Sequence, residues 1–307
     1  MTGGQKAAKG FGLILACVIV ISIVGGIIAA ISFAGSRFGF LKTDGEQTGR
    51  ITVEDDKDDR YEFFDDVNDL YIDAGPIRVE VRTGNENSVR LHNTGDNYEV
   101  DYSNNTLSLR WKDSSDFFDW IFDDAWLEDK YALVTVKQDK LLDTATVDSG
   151  SGHLLLESLS AKEFSLDGGS GHMEINDMTA GNTYMDLGSG SLDVKRFKSM
   201  GFKCSSGSGS LSFEDCEVTD ADIDSGSGRV YFSGKLGRSL DLNSGSGSVS
   251  FEIAGDQGEY SFRCDAGSGG IYLNGDKTDS ATISGSDPEK KIYVDGGSGR
   301  VSIDFKR

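Results

Sequence analysis

Proline and cysteine are scarce in this 307-residue sequence, which contains 2 prolines and 4 cysteines. No two cysteines form a C-x-x-C motif, so the sequence predicts neither a disulfide framework nor a zinc or redox site built on thiols. Basic residues are also few, because 30 Lys and Arg stand against 51 Asp and Glu and leave a formal net charge of −21. Such a surface repels nucleic acid, so we predict no nucleic-acid partner.

Charge is absent altogether from residues 11–35. About 20 apolar residues suffice for a helix to span a bilayer, so this segment predicts a single transmembrane helix that places the protein in the cell membrane. Lys6 and Lys9 favour a cytoplasmic location for residues 1–10, which makes the C-terminal region extracytoplasmic. A cleaved signal peptide ending near Ala34 is the alternative that the sequence leaves open.

Glycine, by contrast, is abundant at 40 residues, and much of it lies in a repeat. Gly-Ser-Gly occurs eight times, at spacings of 19 residues five times over and then of 22 and 30. Apolar residues stand four and six positions after each first glycine, and a second alternating pair precedes the next motif. This period of two predicts strands with one buried face. The first glycines of the motifs are Gly150, Gly169, Gly188, Gly207, Gly226, Gly245, Gly267 and Gly297.

Two short strands and two turns cannot bury a core alone, so the repeat predicts coils that stack on one another. The predicted fold class is therefore all-β, a parallel β-solenoid of 19-residue coils over residues 148–307, preceded by the transmembrane helix. The longer spacings predict surface loops around residues 255–258 and 274–290. We expect Cys204 and Cys264 to share an inward column three coils apart and to remain unbonded.

Three polar features recur along the predicted coils. The Gly-Ser-Gly corners should stack along one edge, because small residues tolerate coils about 4.8 Å apart. An Asp or Asn precedes most motifs by two residues, as at Asp148, and we favour turn capping over a calcium column because the calcium-binding nonapeptide motif is absent. His153 and His172 share a position in adjacent coils. Two imidazoles supply too few ligands for a metal, so we predict an exposed pair and neither metal nor cofactor.

The part of the chain before the repeat has a different pattern. Residues 36–66 are polar and acidic and predict a tether, whereas residues 67–147 alternate like strands and predict an N-terminal cap of irregular coils. Within them, residues 113–130 fit a short amphipathic helix that either covers the solenoid or forms a docking surface. The candidate partner-binding residues are Phe117, Phe118, Trp120, Phe122 and Trp126.

Several stretches together resemble a known family. Residues 70–81, the strand at residues 133–136 and the Ser-Gly-Ser-Gly units from Gly150 onward are similar to the adhesin-type domain of bacterial cell-envelope proteins known as DUF4097. The resemblance covers residues 67–307. It implies a right-handed parallel β-helix displayed outside the membrane, and it brings no catalytic residues with it.

These features support three hypotheses about function. The first is a non-catalytic surface scaffold or adhesion-type binding module that presents its outer columns to an envelope protein or a glycan. The second is an envelope-stress accessory protein that acts on a membrane partner. The third is a polysaccharide-active β-helix enzyme with Glu174 and Asp193 as the paired carboxylates. Only Lys195 and Arg196 bring positive charge near this pair, so the enzyme is the least favoured of the three.

Overall fold

The computed structural model describes residues 50–56, 59–112, 130–278 and 280–306. The described residues belong to one compact unit, Gly49–Arg307. The predicted transmembrane segment and the five candidate aromatic residues lie outside the described residues. In the part of the chain that is described, no helix is long and apolar enough to cross a membrane.

Most of the described chain is β-strand, and the only helical element among the described residues is a single 3-10 turn at Gln257–Glu259. This confirms the all-β prediction. The strands are β1 (Arg50–Asp56), β2 (Asp59–Phe64), β3 (Asp69–Asp73), β4 (Arg78–Gly84), β5 (Asn87–His92), β6 (Tyr98–Ser103), β7 (Thr106–Trp111), β8 (Tyr131–Lys137), β9 (Leu141–Asp148), β10 (His153–Glu157), β11 (Ser160–Gly168), β12 (His172–Asn176), β13 (Thr179–Leu187), β14 (Ser191–Lys195), β15 (Lys198–Ser206), β16 (Ser210–Ser225), β17 (Arg229–Ser244), β18 (Ser248–Ala254), β19 (Ser261–Ala266), β20 (Gly270–Leu273), β21 (Asp276–Thr278), β22 (Ser280–Ile283), β23 (Lys291–Gly296) and β24 (Arg300–Lys306).

The central coils stack in parallel with a 19-residue offset. On the side that follows each Gly-Ser-Gly, Leu154 of β10 pairs with Met173 of β12, which pairs with Leu192 of β14. On the side that precedes it, Leu166 of β11 pairs with Met185 of β13. Because every inward residue meets its counterpart in the next coil, the apolar columns close into one continuous core.

Each central coil has one more bend than the sequence predicts. In β11, Ala161 and Phe164 are buried while the two residues between them, Lys162 and Glu163, are both exposed. Successive residues of a straight strand alternate between faces, so two exposed neighbours indicate a change of face. The second strand of the coil is therefore bent, and the prediction of two simple strands and two turns was too coarse.

The core of the central coils contains a column of phenylalanines and one polar pair. Phe213 and Phe232 are register partners in one column, with ring centroids 6.5 Å apart, and Phe202 packs edge-on against Phe213 from the strand before the corner, at 5.3 Å. Thr183 is the polar exception to the apolar pattern, and its Oγ1 lies 3.0 Å from the Oγ of the buried Ser199 one coil further on. The two hydroxyl groups satisfy each other, so the polar residues do not interrupt the core.

At the C-terminal end, chain order and spatial order differ. Strand β23 lies between β17 and β19, and β24 lies between β18 and β20. The last coil of the chain is therefore inserted between the two coils that precede it in the sequence. The 274–290 segment is not the predicted plain loop. It contains β21 and β22, which pair antiparallel with β20 and β19 at the edge.

The inserted coil changes the predicted cysteine spacing. The inward column runs from Cys204 through Ile223, Leu242 and Val294 to Cys264, which makes four steps, or about 19 Å, instead of the predicted three. Both thiols are free, as expected, and burial raises the pKa of Cys204 to about 12.

The N-terminal end shows the same arrangement. Strand β3 lies between β7 and β9, and β4 lies between β8 and β10, so the chain builds its second coil first and then its outermost coil. Antiparallel strands cover this end as well, since β6 pairs with β7, and β5 pairs with both β8 and β2. Open strand edges invite pairing with other chains, and these antiparallel additions cover them.

Candidate functional site

The Gly-Ser-Gly corners stack because the third residue of each motif lies against the backbone of the coil before it. A Cβ atom added to Gly209 would lie 2.2 Å from the carbonyl oxygen of Gly190, and one added to Gly228 would lie 2.1 Å from that of Gly209. No side chain fits there. The middle residues Ser189 and Ser208 are exposed and line an open trough along this edge. The predicted ladder of corners is confirmed, and its serines are surface residues of a structural turn.

A second ladder, absent from the predictions, lies eight residues after the first glycine of each of the first five motifs. Ser158, Asp177, Arg196 and Asp215 occupy this position in successive coils, with positive φ angles between 54° and 61°. The sequence signal for this ladder was the recurrence of Asp and Ser at this position, with Gly234 at the same position in the next coil, because Asp, Ser and Gly favour turns. The Arg196 guanidinium also binds the Asp177 carboxylate through contacts of 2.5 and 2.7 Å.

Acidic residues stand two positions before most of the Gly-Ser-Gly corners and form a column along the solenoid. Asp148 accepts a hydrogen bond from the Gly150 amide at 3.1 Å, and Asp73 accepts one from the Gly75 amide at 3.2 Å. Both glycines have positive φ. The predicted turn capping is therefore confirmed at Asp148, and Asp73, which was not part of the prediction, caps its own turn in the same way. Further along, burial raises the pKa of Asp167, and the stacked carboxylates on either side of it add to this effect.

Ion pairs between neighbouring coils occupy much of the bent second strand. Lys203 lies 2.9 Å from Asp222, and Glu217 lies between Lys235 at 3.2 Å and Lys198 at 3.4 Å. The hydrogen bond from Lys235, followed by that from Lys198, lowers the pKa of Glu217. Exposed pairs of this kind contribute little stability, because pairing costs side-chain entropy and is screened by salt.

Two large hydrophobic side chains stand out from this charged surface. Tyr184 is 52% exposed and Met200 is 67% exposed. They line two neighbouring open grooves of about 320 and 310 Å³ that cross β13, β15, β16 and β17. Lys203 and Asp222 line the first groove and Glu217 lines the second. An aromatic ring, a thioether and charged side chains are thus presented together on one face of the stacked coils.

A histidine and carboxylate cluster lies on the other side of the coils, on β10 and β12. The Nε2 atoms of His153 and His172 lie 3.1 and 3.3 Å from Oε1 of Glu174, and their rings are 5.1 Å apart. Asp193 follows Glu174 in the next coil, with Oδ2 3.9 Å from His172 Nε2. In the sequence, the two histidines and the two carboxylates stand apart as separate pairs. Only the folding of adjacent coils makes them one cluster.

The comparisons with known proteins agree with this architecture. The family model described as Toastrack DUF4097 matches residues 67–304. A candidate adhesin from Bacteroides fragilis aligns with a TM-score of 0.50 at 14% identity, over 85% of this chain and 100% of that one. This likeness supports a sheet that wraps into a solenoid-like shape.

Two further solved structures are more distant. A candidate lipid-binding protein from Parabacteroides distasonis gives a TM-score of 0.46 at 16% identity, over 81% of this chain and 96% of that one. A candidate cell adhesion protein from Clostridium sporogenes gives 0.28 at 9% identity, over 81% and 99%. No curated protein matches the chain.

Proposed function

Because the chain belongs to the Toastrack DUF4097 family, we propose that it is a non-catalytic, adhesin-type binding module displayed outside the cell membrane. The observation that carries the proposal is the exposed face around Tyr184 and Met200, where two open grooves cross several stacked coils. Exposed aromatic side chains on a rigid support bind with little loss of conformational entropy, which suits recognition of a glycan or a protein.

The anchoring part of the proposal rests on the sequence. Residues 11–35 hold the module at the membrane as a single transmembrane helix, and residues 1–10 lie in the cytoplasm. The tether is shorter than the predicted 36–66, because residues 50–56 and 59–64 form β1 and β2, and β2 pairs with β5 of the folded unit. The coils wind in the right-handed sense that the family resemblance implies. The aromatic residues within 113–130 form a second candidate docking segment.

Binding to isolated envelope material tests the proposal. Full-length chain is mixed with purified cell-wall glycan or with envelope membranes, and the bound fraction is measured by cosedimentation. We expect Tyr184→Ala to weaken binding by about tenfold, in the range of a moderate interface hot spot. Tyr293→Ala is the matched control, because Tyr293 belongs to the same outward column and is 41% exposed but lines neither groove. Equal binding by both variants would remove the groove face from the proposal.

Two further results separate the competing functions. Deletion of residues 1–35 leaves binding intact if the solenoid is the binding module, and abolishes it if the chain acts on a membrane partner as an envelope-stress accessory protein. Release of soluble sugar from the glycan, lost in Glu174→Gln, would instead establish the polysaccharide-active enzyme.

A further inference from the structure

We propose that His153, His172 and Glu174 bind a divalent transition-metal ion of the zinc type on the outer face of β10 and β12. The three side chains offer two imidazole nitrogens and one carboxylate oxygen, which all lie within 4.8 Å of one another. This ligand set is independent of the Tyr184 face. A test that fails to find the metal site would therefore leave the proposed adhesion function unaffected.

The distances suit a small ion. Ligand bonds of about 2.0 to 2.1 Å in a tetrahedral zinc site place neighbouring ligand atoms about 3.3 Å apart. Glu174 Oε1 already lies 3.1 Å from His153 Nε2 and 3.3 Å from His172 Nε2. One ligand atom from each of the three residues lies within 4.8 Å of the other two, so the three side chains can surround one small ion.

A neighbouring hydroxyl supports the required form of one imidazole. His172 Nδ1 lies 2.7 Å from the Ser191 hydroxyl oxygen, which follows it in the next coil. When Nδ1–H donates to that oxygen, Nε2 keeps a free lone pair and points toward Glu174 and the site. Metal-bound histidines commonly have such a partner on the second nitrogen, which orients the ring.

Charge and exposure also fit a bound cation. Glu174 and the nearby Asp193 together balance the two positive charges of the ion, and the cluster belongs to a chain of net charge −21. The side chains of His153, His172 and Glu174 are 34, 42 and 39% exposed, so an ion can enter from solvent. Imidazole ligands favour zinc, nickel or copper over calcium, which prefers oxygen alone.

The test uses the full-length chain, purified in detergent without a polyhistidine tag, treated with chelator and titrated with Zn²⁺ by calorimetry. We expect one Zn²⁺ per chain and a rise in melting temperature with Zn²⁺ concentration. His172→Asn and Glu174→Gln should each weaken binding by at least about tenfold, and Ser191→Ala by about tenfold. His92→Asn is the matched control, because His92 also contacts a carboxylate, with Nδ1 2.6 Å from Asp59, but has no second histidine beside it.

Several outcomes overturn the proposal. One is equal Zn²⁺ affinity in His172→Asn and His92→Asn, and another is no Zn²⁺ binding by the unaltered chain. Binding of Ca²⁺ as tight as that of Zn²⁺ would assign the ion to the acidic columns instead. Circular dichroism of each variant without metal checks that it is folded, and His153→Asn repeats the test at the other imidazole.

Discussion

The central coils and the two ends of the solenoid follow different rules of assembly. From β10 to β18 each coil lies on the one that precedes it in the chain, with a constant offset of about 19 residues. At both ends the outermost coil and its neighbour are exchanged, and antiparallel strands cover the edge. A repeat can therefore propagate by itself, whereas its ends need strands that do not repeat.

Removal of the inserted coil should produce the largest effect. A chain that ends at Asp287 lacks β23 and β24, so Leu242 loses Val294 and Val249 loses Val301. We expect the free energy of unfolding to fall by more than about 5 kcal/mol, beyond ordinary point substitutions, and β19–β22 to become sensitive to protease. A shortened chain that melts at the temperature of the full-length protein would show that the last coil contributes nothing to the stability of the other coils.

A single methyl group in a central corner should have the next largest effect. In Gly209→Ala the new Cβ meets the Gly190 carbonyl oxygen at 2.2 Å, so the two coils must separate. We expect a loss of about 3 kcal/mol or more in urea denaturation, at the upper end of overpacking. The matched control is Ser208→Ala, which changes the exposed neighbouring residue and should alter stability by less than about 0.5 kcal/mol. Similar losses in both variants would contradict the close stacking of the corners.

One buried tyrosine at each end should have an intermediate effect. Tyr260 donates its hydroxyl proton to the Leu236 carbonyl at 2.6 Å, and Tyr98 donates to the Ala74 carbonyl. Loss of either bond leaves a carbonyl without its partner, so Tyr260→Phe and Tyr98→Phe should each cost about 1 to 3 kcal/mol. Hydrogen exchange should report the loss near the altered end first, since the ends open separately from the middle. Uniform acceleration of exchange in all coils would speak against this separation.

The smallest expected change is a gain in stability within the central coils. Ser206, Ser225 and Ser244 stack beside the corners, and their buried hydroxyls have no hydrogen-bond partner among the described residues. Ser225→Ala removes one such group, so we expect unchanged stability or a gain of up to about 1 kcal/mol by thermal unfolding. A clear loss would mean that the three hydroxyls are hydrogen-bonded after all, through buried water.

The candidate sites were only partly visible in the sequence. The pairing of His153 with His172 follows from the 19-residue spacing, and it is present in the structure. The contribution of Glu174 was not anticipated, because it depends on side chains reaching diagonally between adjacent strands, where long residues make contact. The Tyr184 and Met200 grooves were missed for a related reason, since they arise from a bend that the apolar spacing alone did not reveal.

The sequence by itself determined the strands, the inward columns and the stacking of the central coils, because a strand has a period of two and each 19-residue step returns an apolar residue to the same column. The order of the coils at the two ends was decided only by the tertiary structure. The coils at residues 261–273 and 291–306 carry the same inward pattern, so either could pack against β17 and β18. In the folded protein the antiparallel β21 and β22 occupy the free edges of β20 and β19, which leaves the inner position to β23 and β24.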